Sequence, residues 1–523
     1  MTRTIDAKTL KTRLAEPGEM ALIDVQEPGP CADGHLLFAV PIPYSRFELD
    51  IERLVPRTNV PLVLCDGGDG MAEKAAARAQ ALGYSDVSVL AGGTVGWKAA
   101  GYTLYAGVNV PSKTFGELVE HERHTPRISA TDFNAMRARG EKVVLVDGRP
   151  IAEHKRFTIP GSICCPNGEL ALRIDEIVAD PTVPIVVNCA GRTRSIIGAE
   201  TLRMVGVTNP VYALENGTQG WFLAGLEVEK GADRIYPAPP QGEKLAAARA
   251  RAKATAARFG VPGVTAAKVL EWLADTERTT CLIDVRTAEE FQAGSLPGAI
   301  HAPGGQLIQA TDQWIAVRNA RIVLLDSEGV RAPVVGAWLR QLGHDVHVLE
   351  GGTSAAIGMT PRDPVAPGVL PVVAEISPAD LKAGLAAGSV TCLDLRASAA
   401  YRAGHVPGSR WSIRPHLAKA AAGAKTVVLV VDDTGLARLA AVDLAEAGVG
   451  AVRMLAGGLR GWQGAGNAVD ASPDVPADSE RIDFVFHTHR RHEGDPEAAR
   501  QYLAWEMGLV EQLDAQERAA FRL

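Results

Sequence analysis

Seven consecutive residues carry the types and spacing for sulfur chemistry: Cys189-Ala190-Gly191-Arg192-Thr193-Arg194-Ser195. They follow the apolar run PIVVN and lead into the helical pattern SIIGAETLRMVG. A thiol attacks as its thiolate, and an unperturbed thiol ionises only near pH of about 8.5. A loop that curls ahead of a helix N-terminus turns several backbone N–H groups inward, and the helix dipole adds partial positive charge. Arg192 and Arg194 add fixed cations. Together these favour Cys189 as a nucleophilic thiolate and draw a small anion to it. The expectation is that Ala190, Gly191, Arg192, Thr193, Arg194 and Ser195 surround that anion. The plainer alternative makes Cys189 a small buried residue at a strand end. It leaves two arginines and a glycine without a packing role. Arg194 is also in register with Arg331, so part of its role is expected to be structural.

The elements around this loop recur. Four segments open on an apolar run ending at Asp24, Asp147, Asp284 or Asp394. The last three continue as Asp-x-Arg, with Arg149, Arg286 and Arg396, and each has a Pro-Gly pair whose Gly lies 14 residues after the Asp. A second apolar run follows in each copy (PLVLC, PIVVNC, RIVLLD, VVLVVD), then a helical pattern, then LAGGTVGW, LENGTQGW, LEGGTSAAIGM or LAGGLRGW. The period is too long for a solenoid unit, so each copy is a whole domain. Short β-branched runs alternating with helical patterns indicate parallel α/β layering. The expected domains are residues 1–105, 126–230, 260–360 and 374–470, with linkers between them and a helical tail over 471–523.

On these motifs the chain resembles the rhodanese family of sulfurtransferases, as four consecutive rhodanese-like domains. The resemblance implies a parallel sheet flanked by helices in each, with the active loop at the C-terminal end of a strand. It also implies a cysteine that carries sulfane sulfur as a persulfide, and only the second copy fits well, at Cys189. Its implied partners are a small anionic donor such as thiosulfate and an acceptor that is cyanide, a small thiol or a protein thiol. No cofactor is implied. Arg149 is expected either to contact substrate or, with Asp147, to support the loop. Cys164 and Cys165 are expected to be buried packing residues, with a second-thiol role as the alternative.

The other copies read as degenerate. The first places Cys65 at the head of a loop with Asp66 and Asp69 and no cation; the acids raise a thiol's pKa and repel an anion. The third has Asp326 and the fourth Asp432 at that place. The domain pairing implied by the family sets inactive domains against the active one. In the tail, His487, His489 and His492 could hold a metal, but no acidic or thiol ligand supports it, and none is expected. Asp495-Pro496 starts a helix that docks on a domain or a second subunit, which leaves a homodimer open.

Composition bounds the alternatives. A net charge of −7, from 54 basic and 61 acidic residues, does not suggest a nucleic-acid or anionic-membrane binder. Seven cysteines are too few for a disulfide scaffold and fit a reducing cytoplasm. No secretory signal or membrane span is expected. Two rival functions remain. A non-catalytic scaffold or sulfur carrier is suggested by the three degenerate copies. A cysteine-dependent phosphatase would need Arg six positions after Cys, where this chain has Ser195.

Overall fold

The computed structural model describes residues 3–358, 370–486 and 494–523. The chain forms two compact units. One holds the first and fourth copies; the other holds the second and third copies, the segment from Val108 and the described tail from Gly494. His487, His489 and His492 themselves lie outside the described residues. Among the described residues no helix is long and apolar enough to cross a membrane.

Each copy is a parallel sheet with helices on both faces. In the second copy the strand order is Arg127–Ile128, Val211–Leu214, Ile185–Asn188, Val144–Asp147, Ile163–Cys164. Alternate side chains of the fully buried strand Ile185–Asn188 feed two cores. Ile185 and Val187 pack with Val146, Leu170 and Leu202 on one face. Val186 packs with Phe133, Leu145 and Trp221 on the other. Burial on both faces is why these runs read as continuous β-branched stretches. The chain reverses direction across the sheet between Val144–Asp147 and Ile185–Asn188, and the loops leaving these adjacent strands make the crevice where open α/β sheets bind ligands.

The closing motif fixes that loop. In the four copies the glycine at the second position of the Gly/Asn-Gly pair (Gly93, Gly217, Gly352, Gly458) has φ between +52° and +57°. A Cβ there would stand 2.4 Å from the carbonyl oxygen of Asp66, 2.4 Å from that of Cys189, 1.9 Å from that of Asp326 and 2.7 Å from that of Val431. Only glycine fits. Three copies then anchor the motif's tryptophan, whose Nε1 donates to a carbonyl six residues on: Trp97 to Thr103 (2.9 Å), Trp221 to Glu227 (2.7 Å) and Trp462 to Ala468 (2.7 Å).

This geometry corrects two assignments made from the sequence. Asp147 faces Asn188 across the ladder, and Asp24 faces Cys65 in the same way. Cys65 is therefore the last strand residue, matching Asn188, and Asp66 stands in the place of Cys189. In the fourth copy Asp394 faces Val430, so Val431 rather than Asp432 takes that place. The third copy does put Asp326 there, one residue beyond Leu325, which faces Asp284.

The second and third copies pack together through buried contacts. Trp338 donates Nε1–H to Thr201 Oγ1 at 2.9 Å, and Arg331 donates to Glu169 at 2.9 Å. In the other unit Arg414 of the fourth copy donates to both oxygens of Glu48 and to the Tyr44 carbonyl of the first.

Candidate active site

Cys189 sits between the strand Ile185–Asn188 and the helix Thr193–Met204. All seven cysteines are buried, and none is in a disulfide. Cys189 lines a cavity of about 220 Å³ together with Ala190, Gly191, Arg192, Thr193 and Arg194. Ser195 Oγ donates to its sulfur at 3.0 Å. Among the described residues no protein acceptor takes the backbone N–H groups of Arg192, Thr193 and Arg194. These are the first amides of the helix and its cap, which point at an anion site.

The third copy shows what such amides bind. There the Asp326 carboxylate accepts from Gly329 N (2.9 Å), Val330 N (2.9 Å), Arg331 N (2.7 Å) and Ala332 N (3.2 Å). In the first copy Asp66 accepts from Gly68 and Ala72, and in the fourth Asp433 accepts from Gly435. In the first and third copies a carboxylate at the loop head takes the loop amides, and in the fourth, headed by Val431, Asp433 caps the helix; the Cys189 loop holds a thiol.

The charged residues named from the sequence are placed differently from one another. Both guanidinium groups of the loop are in ion pairs. Arg192 donates to both oxygens of Glu117 at 2.8 Å and also to Glu120. Arg194 donates to both oxygens of Glu153 at 2.7 and 2.9 Å. Burial opposes the charge on each arginine, but these carboxylates hold both above their ordinary range. The Arg194–Glu153 pair is repeated in the third copy as Arg331–Glu290, so it is a structural tie as well as a wall of the cavity. Arg194 still interacts with Cys189, so the positive field at the sulfur comes from this guanidinium and the loop amides together.

Arg149 and Asp147 form a buried pair, at 2.7 Å between Nη2 and Oδ2, and Arg149 also donates to the Phe157 carbonyl. Burial disfavours the Asp147 charge, yet Arg149 and Thr158 hold its carboxyl below the usual range. The same pairing recurs in Asp284–Arg286 and Asp394–Arg396. Asn188 Nδ2 links Asp147 to Thr218, and Thr218 donates to the Cys189 carbonyl, so the pair supports the loop from below. Cys164 and Cys165 are fully buried, and Cys164 donates to the Arg149 carbonyl. Burial pushes the Cys164 thiol up to about 12 and that of Cys165 well above its ordinary value.

Two segments read from the sequence as linker and tail complete the cavity. The first is the helix Val110–Arg123, which brings Lys113 to the cavity wall and sets Glu117 and Glu120 against Arg192 behind it. It approaches so closely that a Cβ on Gly116 would lie 2.7 Å from Thr193 Cγ2. The second is the helix Pro496–Met507, begun by Asp495 accepting from Glu497 N and Ala498 N. Its Tyr502 and Glu506 line the cavity, and Thr193 Oγ1 donates to Glu506. The sequence signals for these residues are the helical spacing of Phe115, Leu118 and Val119, which leaves Glu117 and Glu120 one turn apart, and the Asp495-Pro496 helix start that precedes Tyr502 and Glu506.

Comparison with known proteins agrees with this architecture. A family model described as the rhodanese-like domain matches residues 6–100, 129–224, 265–357 and 377–465. The crystal structure of a thiosulfate sulfurtransferase from Pseudomonas aeruginosa is 40% identical, covers 99% of each chain and superposes with a TM-score of 0.92. An HTH-type transcriptional regulator from Mycobacterium tuberculosis is 36% identical over 106 residues, 20% of this chain and 45% of the regulator. The chain thus spans less than half the length of that curated relative. With four matched domains built around the same sheet, loop and closing motif, the chain belongs to the rhodanese family of sulfurtransferases.

Proposed function

We propose that this chain moves sulfane sulfur from thiosulfate, or a similar small anionic donor, through a Cys189 persulfide to a thiophilic acceptor. The Cys189 thiolate bonds to the outer sulfur of thiosulfate. The donor's S–S bond breaks, and sulfite leaves with its electron pair. The single observation that carries this reading is the loop itself: a thiol with a hydroxyl donor at 3.0 Å and, beside it, amides that bind a carboxylate in the third copy. Those amides and Ser195 suit the charge of bound donor and persulfide. The similarity to a thiosulfate sulfurtransferase over the whole chain supports the same donor. Seven thiols, none in a disulfide, suit a reducing cytoplasm. Asp66, Asp326 and Val431 cannot carry sulfane sulfur, so the other three domains act through packing. Cys189→Ser tests the reading: thiosulfate:cyanide turnover should fall to background with little change in Tm, and turnover above about a tenth of wild type would overturn it.

A further inference from the structure

Glu506 is 1% exposed, and its Oε2 has no hydrogen-bond partner. Its other oxygen, Oε1, is held by the Thr193 hydroxyl. Oε2 is 3.2 Å from where a Cβ on Gly191 would sit, and Glu506 shares the cavity with Cys189. A buried carboxylate oxygen without a donor is costly, so a ligand is expected to bring one. Thiosulfate is a dianion and cannot supply it, and cyanide offered above its own pKa arrives without a proton. A thiol acceptor can, because at neutral pH its sulfur still carries a proton that must leave before it attacks.

We propose that Glu506, from the C-terminal helix, is a catalytic residue of the second half-reaction, taking the proton of an acceptor thiol. This rests on the Cys189 persulfide reading above. The acceptor R–S–H gives its proton to the Glu506 carboxylate, and the thiolate bonds to the outer sulfur of the anionic persulfide as Glu506 passes that proton on to it. The Sγ–S bond breaks, and its electron pair returns to Cys189, where Ser195 donates to the thiolate. The product is R–S–S–H, with Glu506 again a carboxylate. The class of acceptor is thereby a small protonated thiol.

The test separates the half-reactions. Full-length protein is loaded with thiosulfate, freed of donor and mixed with 2-mercaptoethanol, cysteamine or cyanide, and persulfide loss is timed. Glu506→Gln should slow transfer to both thiols at pH 7 by about ten-fold or more beyond any effect it has on donor loading or on transfer to cyanide above the pKa of hydrogen cyanide, where that acceptor is fully ionised. That defect should close as the pH passes the thiol's own pKa, where the acceptor arrives ionised. A defect equal at every pH and for cyanide would make Glu506 a packing residue and overturn the proposal. A defect confined to cysteamine would make it an ammonium site and also overturn it. Should the Gln variant not fold, Glu506→Asp keeps the carboxylate. It should keep the wild-type pH profile, and a profile following only the thiol's ionisation would contradict the proposal. Failure of the wild type to load sulfur would instead overturn the persulfide reading beneath it.

Discussion

Asp326 stands in the third domain where Cys189 stands in the second, and its carboxylate already sits on the loop amides that Cys189 leaves to a substrate. The inactive copy thus carries a built-in anion, and its loop is held by it. Removing that anion should cost stability that removing the thiol does not. Asp326→Ala leaves four amides without their acceptor and should lower stability by about 1–3 kcal/mol. Cys189→Ala should cost no more than about 1 kcal/mol. Denaturant titration of both variants, side by side, checks the order; equal losses would contradict it.

Arg192 is bound by the helix that precedes the second domain rather than being held for substrate alone. Arg192→Ala strips the buried Glu117 of its counter-ion and leaves the half-buried Glu120 with Arg127 alone. Breaking such a buried pair from one side costs about 3–5 kcal/mol. The expected result is a clear loss of stability in denaturation, partly relieved by adding Glu117→Gln. If Arg192→Ala melts like wild type and loses only affinity for thiosulfate, the pairing has no energetic weight.

Asp24 lacks the arginine that the other three opening aspartates have, because Gln26 stands where Arg149, Arg286 and Arg396 do. Burial pushes its carboxyl up to about 7, against the hydrogen bonds from Gln26. In the unfolded chain it ionises near about 3.9. The folded state therefore holds the proton more tightly, and the stability this group contributes is present below about pH 4 and is lost as pH rises to about 7. Asp24→Asn cannot ionise, so it should gain stability over wild type at pH 8 and less at pH 5. Thermal melts at the two values check the sign, and a larger gain at pH 5 would contradict it.

Cys65 has the right residue type one position too early. It is fully buried, and burial, with Asp24, Cys31 and Asp66 adding to it, pushes its thiol well above the ordinary value. Cys65→Ser should leave thiosulfate turnover within about two-fold of wild type. Iodoacetamide, followed by peptide mapping, should modify Cys189 well before Cys65; the reverse order would contradict the placement.

The fold was legible because its signals are local. Asp-x-Arg, Pro-Gly and Gly-Gly-x-x-Gly-Trp each mark a turn or close approach within a few residues, and they repeat. The Cys189 loop was legible for the same reason. Which residue heads each loop was not, since Cys65 ends an apolar run just as Cys189 does and only pairing with a distant strand separates them. Nor were the partners of Arg192 and Thr193. Glu117 and Glu506 come from helices remote in the chain, and nothing in a helical spacing says which loop it will meet.

The central claim is that one loop of four carries the sulfur. Peptide mass mapping after treatment with limiting thiosulfate tests it most directly. The account predicts one added sulfur atom per chain, on the peptide holding Cys189, and none on that holding Cys65. An added sulfur at Cys65 equal to that at Cys189, or none at Cys189 while turnover persists, would contradict it.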